Sequence, residues 1–448
     1  MTPESKLTRN TTRAAAAAFV GTTIEWYDFF VYGTASVLAF GRLFFPGSDP
    51  TAGLLASLAT FAVGFLARPF GAFIFGHIGD RIGRKRALIV TIVLMGCGTT
   101  GVGLLPTYAE AGVWAPIFLV ALRLLQGISV GGEWGGAVLI AGEHAPAERR
   151  TWFASFAQLG SPVAVLLSMG IFSAATAVSG ANFLVWGWRV PFLVSVVLLV
   201  VGLFIRLGVE ESPEFADAEA RKEVVRFPLG LALRTAKKPM LMILCAFTIG
   251  TAGFYFTNTF LIAYATRSLA INRSIILECL TVVSVIQFFG QLATAWIAER
   301  IGDASFLKWS AGLAMIAPYP MFLLVEMRSP LAIILGVSLA TLCASGFYAV
   351  VAGYSSKIFP ANIRYTAISA SYQLCGAIFG GFTPIIGVVL VQHFPGQWWP
   401  LALFYSVLAG ISLMGVLLLD RGSRDRVRYV TPEPQVALIP PSSEPVGS

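Results

Sequence analysis

The sequence predicts an all-α integral membrane protein: twelve transmembrane helices in two pseudo-symmetric six-helix bundles. Three observations carry this expectation. The 448 residues are 56% hydrophobic and only 12% charged, against about 25% charged in a soluble domain, so lipid must solvate most of the chain. Twelve apolar runs recur along it, each close to the roughly 20 residues that cross the hydrocarbon core. A hydrophilic stretch, 208–238, divides them six and six.

The spans are placed at 15–44, 52–76, 87–105, 115–140, 152–176 and 189–207, then at 240–265, 275–298, 308–326, 330–355, 365–391 and 398–419. The domains follow: an N-terminal bundle over 1–207, a cytoplasmic central loop over 208–238, a C-terminal bundle over 239–420, and a cytoplasmic tail over 421–448 expected to be disordered. Lys6, Arg9 and Arg13 precede a first apolar run far longer than the apolar region of a signal peptide, so an uncleaved first helix is expected. With the N terminus inside, 24 of the 31 Lys and Arg residues fall on inner segments. Five fall outside (Arg42, Arg189, Arg267, Arg273 and Arg328) and two, Arg68 and Arg123, lie within spans. That bias sets the orientation and an even number of crossings.

Composition also excludes function classes. A formal charge of +8 would suggest nucleic acid in a soluble protein; in a membrane chain it is the cytoplasmic excess, and no nucleic-acid partner is expected. Cys97, Cys245, Cys279, Cys343 and Cys375 show no CxxC spacing and read as small core residues. His77, His144 and His393 are far apart, so no metal site is expected. No nucleophile constellation, cofactor loop or pore motif is visible, which argues against an enzyme and against a channel.

The two halves echo each other. Ala147 to Arg150, including Arg149, matches Ala361 to Arg364, each segment following a proline (Pro146, Pro360), and Gly76 to Lys85 matches Ala295 to Ser305. Internal duplication around a midplane site is characteristic of secondary transporters. The loop after span 2 reads Gly76-His77-Ile78-Gly79-Asp80-Arg81-Ile82-Gly83-Arg84-Lys85. Gly76 and Gly83 permit tight turns and close helix approach, Asp80 suits a neighbouring helix N-terminus, and Arg81 and Arg84 stay in the basic interface.

This loop is similar to the signature loop of the major facilitator superfamily, and Arg123-Leu124-Leu125-Gln126-Gly127 in span 4 resembles a second superfamily motif. Glu25-Trp26-Tyr27-Asp28-Phe29, Gly131-Gly132-Glu133-Trp134-Gly135-Gly136 and Glu211-Ser212-Pro213-Glu214-Phe215 narrow the resemblance to the metabolite:proton symporters, the branch of shikimate, ketoglutarate, citrate and proline or betaine carriers. The resemblance implies the major facilitator fold, alternating access, a bacterial inner-membrane location with both termini cytoplasmic, no cofactor beyond the proton gradient, and function as a monomer. Two departures stand out. In the C-half loop Ala295 replaces the glycine, Glu299 the aspartate and Asp303 the first arginine after Gly302, so the latch on that side is expected to be built differently. The tail from Arg421 is short, proline-rich and without heptads, so the coiled-coil osmosensing of betaine carriers is not expected.

Charges within hydrocarbon cost roughly 3 kcal/mol or more each and need a reason. Glu25 lies twelve residues past Arg13, about 18 Å at the helical rise, near the midplane. Arg123 lies at a similar depth, and Asp28 shares a face with Glu25. Glu25, Asp28 and Arg123 are therefore expected to form the proton-coupling site. Gly76, Asp80, Arg81, Gly83, Arg84, Arg149 and Arg150 are assigned to gating, and Arg68 with Glu133, nearer the cytoplasm, either to a structural or gating pair or to a substrate role. Glu143, His144 and Glu148 at the membrane edge are expected to be a solvated loop. The C-half interior carries polar groups at helical spacing. Tyr255, Asn258, Gln287, Gln291, Tyr348, Tyr372 and Gln373, with Arg123 and Gln126 from the N-half, are the expected substrate-binding set. The expectation is proton-coupled uptake of a small hydrophilic metabolite, an organic anion such as shikimate or a di- or tricarboxylate. Zwitterionic osmolytes and export are the alternatives.

Overall fold

A computed structural model describes residues 3–47, 50–220 and 228–429. Twelve long helices are built from these residues. The N-half holds α1 (Pro3–Ala35), α2 (Pro50–Ile82), α3 (Arg84–Leu104), α4 (Trp114–Glu143), α5 (Arg150–Ser179) and α6 (Val190–Leu207). The C-half holds α7 (Lys237–Tyr255), α8 (Arg273–Ile301), α9 (Asp303–Ile316, resuming at Pro318–Glu326), α10 (Pro330–Ser356), α11 (Arg364–Cys375, resuming at Thr383–His393) and α12 (Trp399–Tyr429). The break in α9 falls at Pro318, which has no N–H to continue the ladder. Among the described residues eleven helices are long and apolar enough to cross a membrane. The twelfth, α1, carries Glu25 and Asp28 in its middle, and those carboxylates lower its apolar character.

Three helices contain π-helical turns: α1 at Ser36–Phe40, α7 at Phe256–Phe260 and Tyr264–Ser268, and α11 at Gly376–Gly380. Such turns concentrate at functional positions, because an extra residue re-aims the side chains around it. All three helices border the centre of the molecule.

The packing repeats between halves. In the N-half α2 runs along α4, α3 along α4 and α6, and α1 along α5; in the C-half α8 runs along α10, α9 along α10 and α12, and α7 along α11. The halves meet through α2 on α11 and, equivalently, α5 on α8, with α4–α11 and α5–α10 beside them. Glycines set the tightest seam. A Cβ on Gly71 or Gly131 would run into Ile128 or Arg68 backbone oxygen, and one on Gly127 would sit 2.8 Å from the Ala67 Cβ. Small residues are what let two helices approach this closely in lipid.

The boundaries differ from expectation in two places. The central stretch 208–238 contains short helices at Pro213–Ala220 and Pro228–Thr235, and α7 already begins at Lys237; residues 221–227 lie outside the described residues. The tail does not start as coil at 421, because α12 continues to Tyr429; the expectation of a disordered tail over 430–448 lies outside the described residues. Charge by itself does not end a helix, so α12 runs on past 421.

Candidate functional site

The expected proton site comes together. α1 places Glu25 and Asp28 one turn apart, α4 places Arg123 and Gln126 one turn apart, and α2 contributes Gly64 and Arg68; all six line one small cavity in the N-half. The four charged groups are buried. Ser195 Oγ of α6 donates to Asp28 Oδ1 at 3.2 Å. Arg123 Nη1 donates to Gln126 Oε1 at 3.5 Å, and Gln126 Nε2 donates to Thr99 Oγ1 at 2.6 Å. The Arg123 guanidinium also lies over Tyr32, Phe61 and Phe29, at 4.3, 5.1 and 5.5 Å from the ring centroids. Gly64 admits it, since any Cβ there would collide with the guanidinium. Glu25 Oε2, Asp28 Oδ2 and Arg123 Nε have no hydrogen-bond partner. Two buried carboxylates with spare acceptor capacity thus lie beside two buried cations, a set in which burial opposes ionisation of the carboxylates and the cations favour it.

Arg68 does not pair with Glu133. The buried Glu133 instead takes Arg206 from the end of α6 and the hydroxyl of Thr91, 2.6 Å away, and Gly21 of α1 is packed directly on that pair. Arg68 instead lines the cavity with Glu25 and Asp28, over Phe65 at 4.5 Å and Phe29 at 5.0 Å. Spacing along single helices does not reveal such partners: Glu133 and Arg206 are 73 residues apart.

The C-half carries a buried polar set of its own. The Tyr348 and Tyr372 hydroxyls are 2.5 Å apart. Trp134 of the N-half stacks on Tyr372 at 3.9 Å between centroids and donates from Nε1 to Gln158 Oε1 at 3.3 Å. Gln373 donates to the Val130 carbonyl at 3.2 Å, which ties α11 to α4. Gln287 and Gln291 are buried, and both side-chain polar atoms of Gln291 lack a partner. Asn258 is the exception: its amide is used locally, on Phe254 O and Thr257 Oγ1 at 3.2 Å each.

Sequence reading missed part of this face. Ser338, Thr341 and Ser345 of α10 are buried with unpartnered hydroxyls, and with Tyr348 they repeat at helical spacing on one side of α10. That spacing was readable, but single hydroxyls in apolar helices usually bond to their own backbone. Trp134 and Gln158 were missed because aromatic and amide positions within apolar runs carry no period of their own.

At the end of the molecule that holds the basic loops, the halves are locked together. Asp80 Oδ2 accepts the Thr366 backbone N–H at 2.9 Å and its hydroxyl at 2.8 Å, and Asp80 Oδ1 accepts the Tyr365 N–H at 3.3 Å. This seats a carboxylate on the N-terminus of α11. Gly76 and Gly79 let α11 in, with a Gly76 Cβ placed 2.9 Å from Thr366 Cα. Gly83, at φ 119°, makes the turn into α3, and Gly302, at φ 88°, makes the matching turn into α9. Glu211 from the central loop caps α3, accepting the N–H groups of Arg84 at 2.9 Å and Lys85 at 3.2 Å.

Glu143 and His144 are buried here and are not a solvated loop. Glu143 pairs with Arg84 in its own half and with Arg364 of the other half at 2.8 Å, and Ser212 donates to it as well. The matching positions carry the opposite charges: Asp303 stands for Arg84 and Lys357 for Glu143, and they pair at 2.8 Å. Thr151 donates to Asp303 at 2.8 Å and Glu299 accepts the Trp152 N–H at 3.0 Å, mirroring Asp80 on α11. Arg149 reaches Glu299 only at 4.0 Å and is exposed, as is Arg81.

Comparison with known proteins agrees with this architecture. A family model described as "Sugar (and other) transporter" matches residues 14–226. The shikimate transporter of Escherichia coli is 37% identical over 419 residues, covering 92% of this chain and 95% of that protein. The proline/betaine transporter of the same organism is 30% identical, covering 92% and 84%. Among solved structures, the proton:xylose symporter XylE bound to 6-bromo-6-deoxy-D-glucose superposes with a TM-score of 0.73 over 92% of this chain and 96% of that one, at 16% identity, a likeness of fold. The chain belongs to the major facilitator superfamily of membrane transporters, on the metabolite-carrier branch that contains these relatives.

Proposed function

We propose that the protein is a proton-coupled symporter that takes up a small organic anion across the bacterial inner membrane by alternating access, as a monomer with both termini in the cytoplasm. One observation carries the reading: Glu25, Asp28, Arg68 and Arg123, two carboxylates and two cations, line a single small buried cavity of the N-half. Transporters of this family need no cofactor, and the buried carboxylates Glu25 and Asp28 support a proton gradient as the driving force. Protonation of Glu25 and Asp28 would remove two buried negative charges from the N-half and leave its arginines in excess, which favours an incoming anion. Tyr348, Tyr372, Gln287, Gln291 and Gln373 would then meet its hydroxyls.

In the described state the basic, cytoplasmic end is closed by Asp80, Glu143 and their partners, which fits a cycle that opens each end in turn. The substrate class follows from charge. A cation would oppose Arg68 and Arg123, whereas a hydroxylated carboxylate suits both halves. The shikimate transporter among the relatives supports a hydroxy acid; the proline/betaine transporters support a zwitterion, which also carries a carboxylate. Uptake of labelled shikimate, a 2-hydroxy acid and betaine into proteoliposomes, with and without an inward proton gradient, tests the reading. Gradient-dependent accumulation of an acid supports it, and accumulation of betaine alone selects the second substrate class.

A further inference from the structure

Two buried arginines border the cavity, and they are not equivalent. Arg123 is enclosed: Gln126 accepts its proton, three rings cover it, and Gly64 backs it. No carboxylate lies within 4 Å of either guanidinium among the described residues, and Glu25 and Asp28 line the same cavity. Arg68 is different. Its planar group rests on Phe65 and Phe29, which fill its faces and leave its N–H edge for other partners.

What approaches that edge comes from the other half. Tyr255 packs on the same two rings as Arg68, Phe65 and Phe29. The Tyr255 ring is inserted into the N-half aromatic cluster, 5.4 Å from Phe65, 5.7 Å from Phe29 and 6.3 Å from Trp26. Tyr255 ends the regular part of α7, and the π-helical turn Phe256–Phe260 follows at once. On its own side the ring rests on Gly380, where a Cβ would be 2.9 Å away, inside the π-helical turn of α11. A cation with no carboxylate in direct contact and a phenol thus share an aromatic cluster at the seam of the halves, next to two helices whose backbone is already irregular.

We infer that Arg68 anchors the substrate's carboxylate, with Tyr255 as the donor from the C-half, while Arg123 remains with Asp28 in the proton site. The inference rests on the anion-symport reading. A guanidinium edge takes a carboxylate through two parallel hydrogen bonds, and a phenol can donate to the same group. The bound acid then bridges α2 and α7, so occupancy itself draws the halves together. A neutral analogue of the same shape cannot make this bridge.

The test compares carboxylates with their methyl esters as inhibitors of labelled shikimate exchange in proteoliposomes holding the full chain. The pairs are shikimate, a 2-hydroxy acid and betaine, each against its ester. The readout is the ratio of inhibitory concentrations, which does not depend on how much protein is folded. Wild type is expected to prefer acid over ester by about tenfold or more, as for a hydrogen bond to a charged group. Arg68→Gln should bring the ratio close to one, and Arg68→Lys should restore part of it. Should Arg68→Gln fail to reach the membrane, Tyr255→Phe is read in the same way and should lower the ratio about threefold or more. A wild type without acid preference in any pair defeats the anion reading and the anchor with it. A wild type with the preference, kept in full by Arg68→Gln or by the Tyr255→Phe substitute, overturns the anchor alone.

Discussion

The carboxylate of Asp80 accepts both the backbone N–H and the side-chain hydroxyl of Thr366, at 2.9 and 2.8 Å, so the last turn of α2 in one half holds the first turn of α11 in the other. Because it spans the two halves, this contact is expected to break when the basic end opens. Asp80→Asn removes the charge and leaves one acceptor oxygen, and hydrogen bonds to charged groups are worth about 1.5–3 kcal/mol each. The closed state should lose about 2–3 kcal/mol relative to the open one. Turnover at saturating substrate is expected to fall several-fold with KM changed less than twofold. Cysteine labelling at the basic end should accelerate in parallel.

The charge reversal between the two latches gives a second expectation. Arg84 and Glu143 are fully buried, whereas Lys357 keeps 40% of its side chain exposed against Asp303. Removing one partner of a buried pair costs about 3–5 kcal/mol, and an exposed pair about 0–1. Arg84→Ala should therefore strip the protein from the membrane or lower its melting temperature sharply, while Lys357→Ala should shift it little. The exchange Asp303→Lys with Lys357→Asp should be tolerated better than Asp303→Lys alone, as read by thermal stability in detergent.

The seam between α2 and α4 is set by glycine, and a methyl group tests it. Gly131→Ala would drive a Cβ into the Arg68 carbonyl and the Ala72 amide. Neither is the end of a flexible side chain, so the helices must separate, at about 1–3 kcal/mol for overpacking. Gly170→Ala, where nothing lies within 4 Å of the new Cβ, should be silent. The comparison of the two melting temperatures checks the assignment.

Much of this was legible in the sequence, and the reasons are specific. Apolar length and the Lys/Arg bias locate helices directly, and Asp80 and Gly76 belong to a motif whose spacing states its geometry, although its first half is the end of α2 and not a loop. Glu25, Asp28 and Arg123 stood out because charges are rare in apolar runs. Pairings were not legible. Glu133 meets Arg206 rather than Arg68, and Glu143 is the buried centre of a latch rather than a surface group, because both depend on which helices are neighbours in space. The α10 hydroxyls at Ser338, Thr341 and Ser345 become meaningful only once Tyr348 on the same face is seen against Trp134 and Tyr372.

The central claim is that Glu25 and Asp28 carry the proton that drives uptake. Both are buried in the N-half cavity with unpartnered oxygens beside Arg68 and Arg123. The most direct measurement is the pH change outside proteoliposomes on adding shikimate, without any imposed gradient, for wild type, Glu25→Gln and Asp28→Asn, together with exchange of labelled shikimate across the same membranes. The account predicts alkalinisation of the outside medium by wild type and none by either variant, with exchange retained in at least one of them. Substrate-driven proton movement of wild-type size in both variants would contradict it.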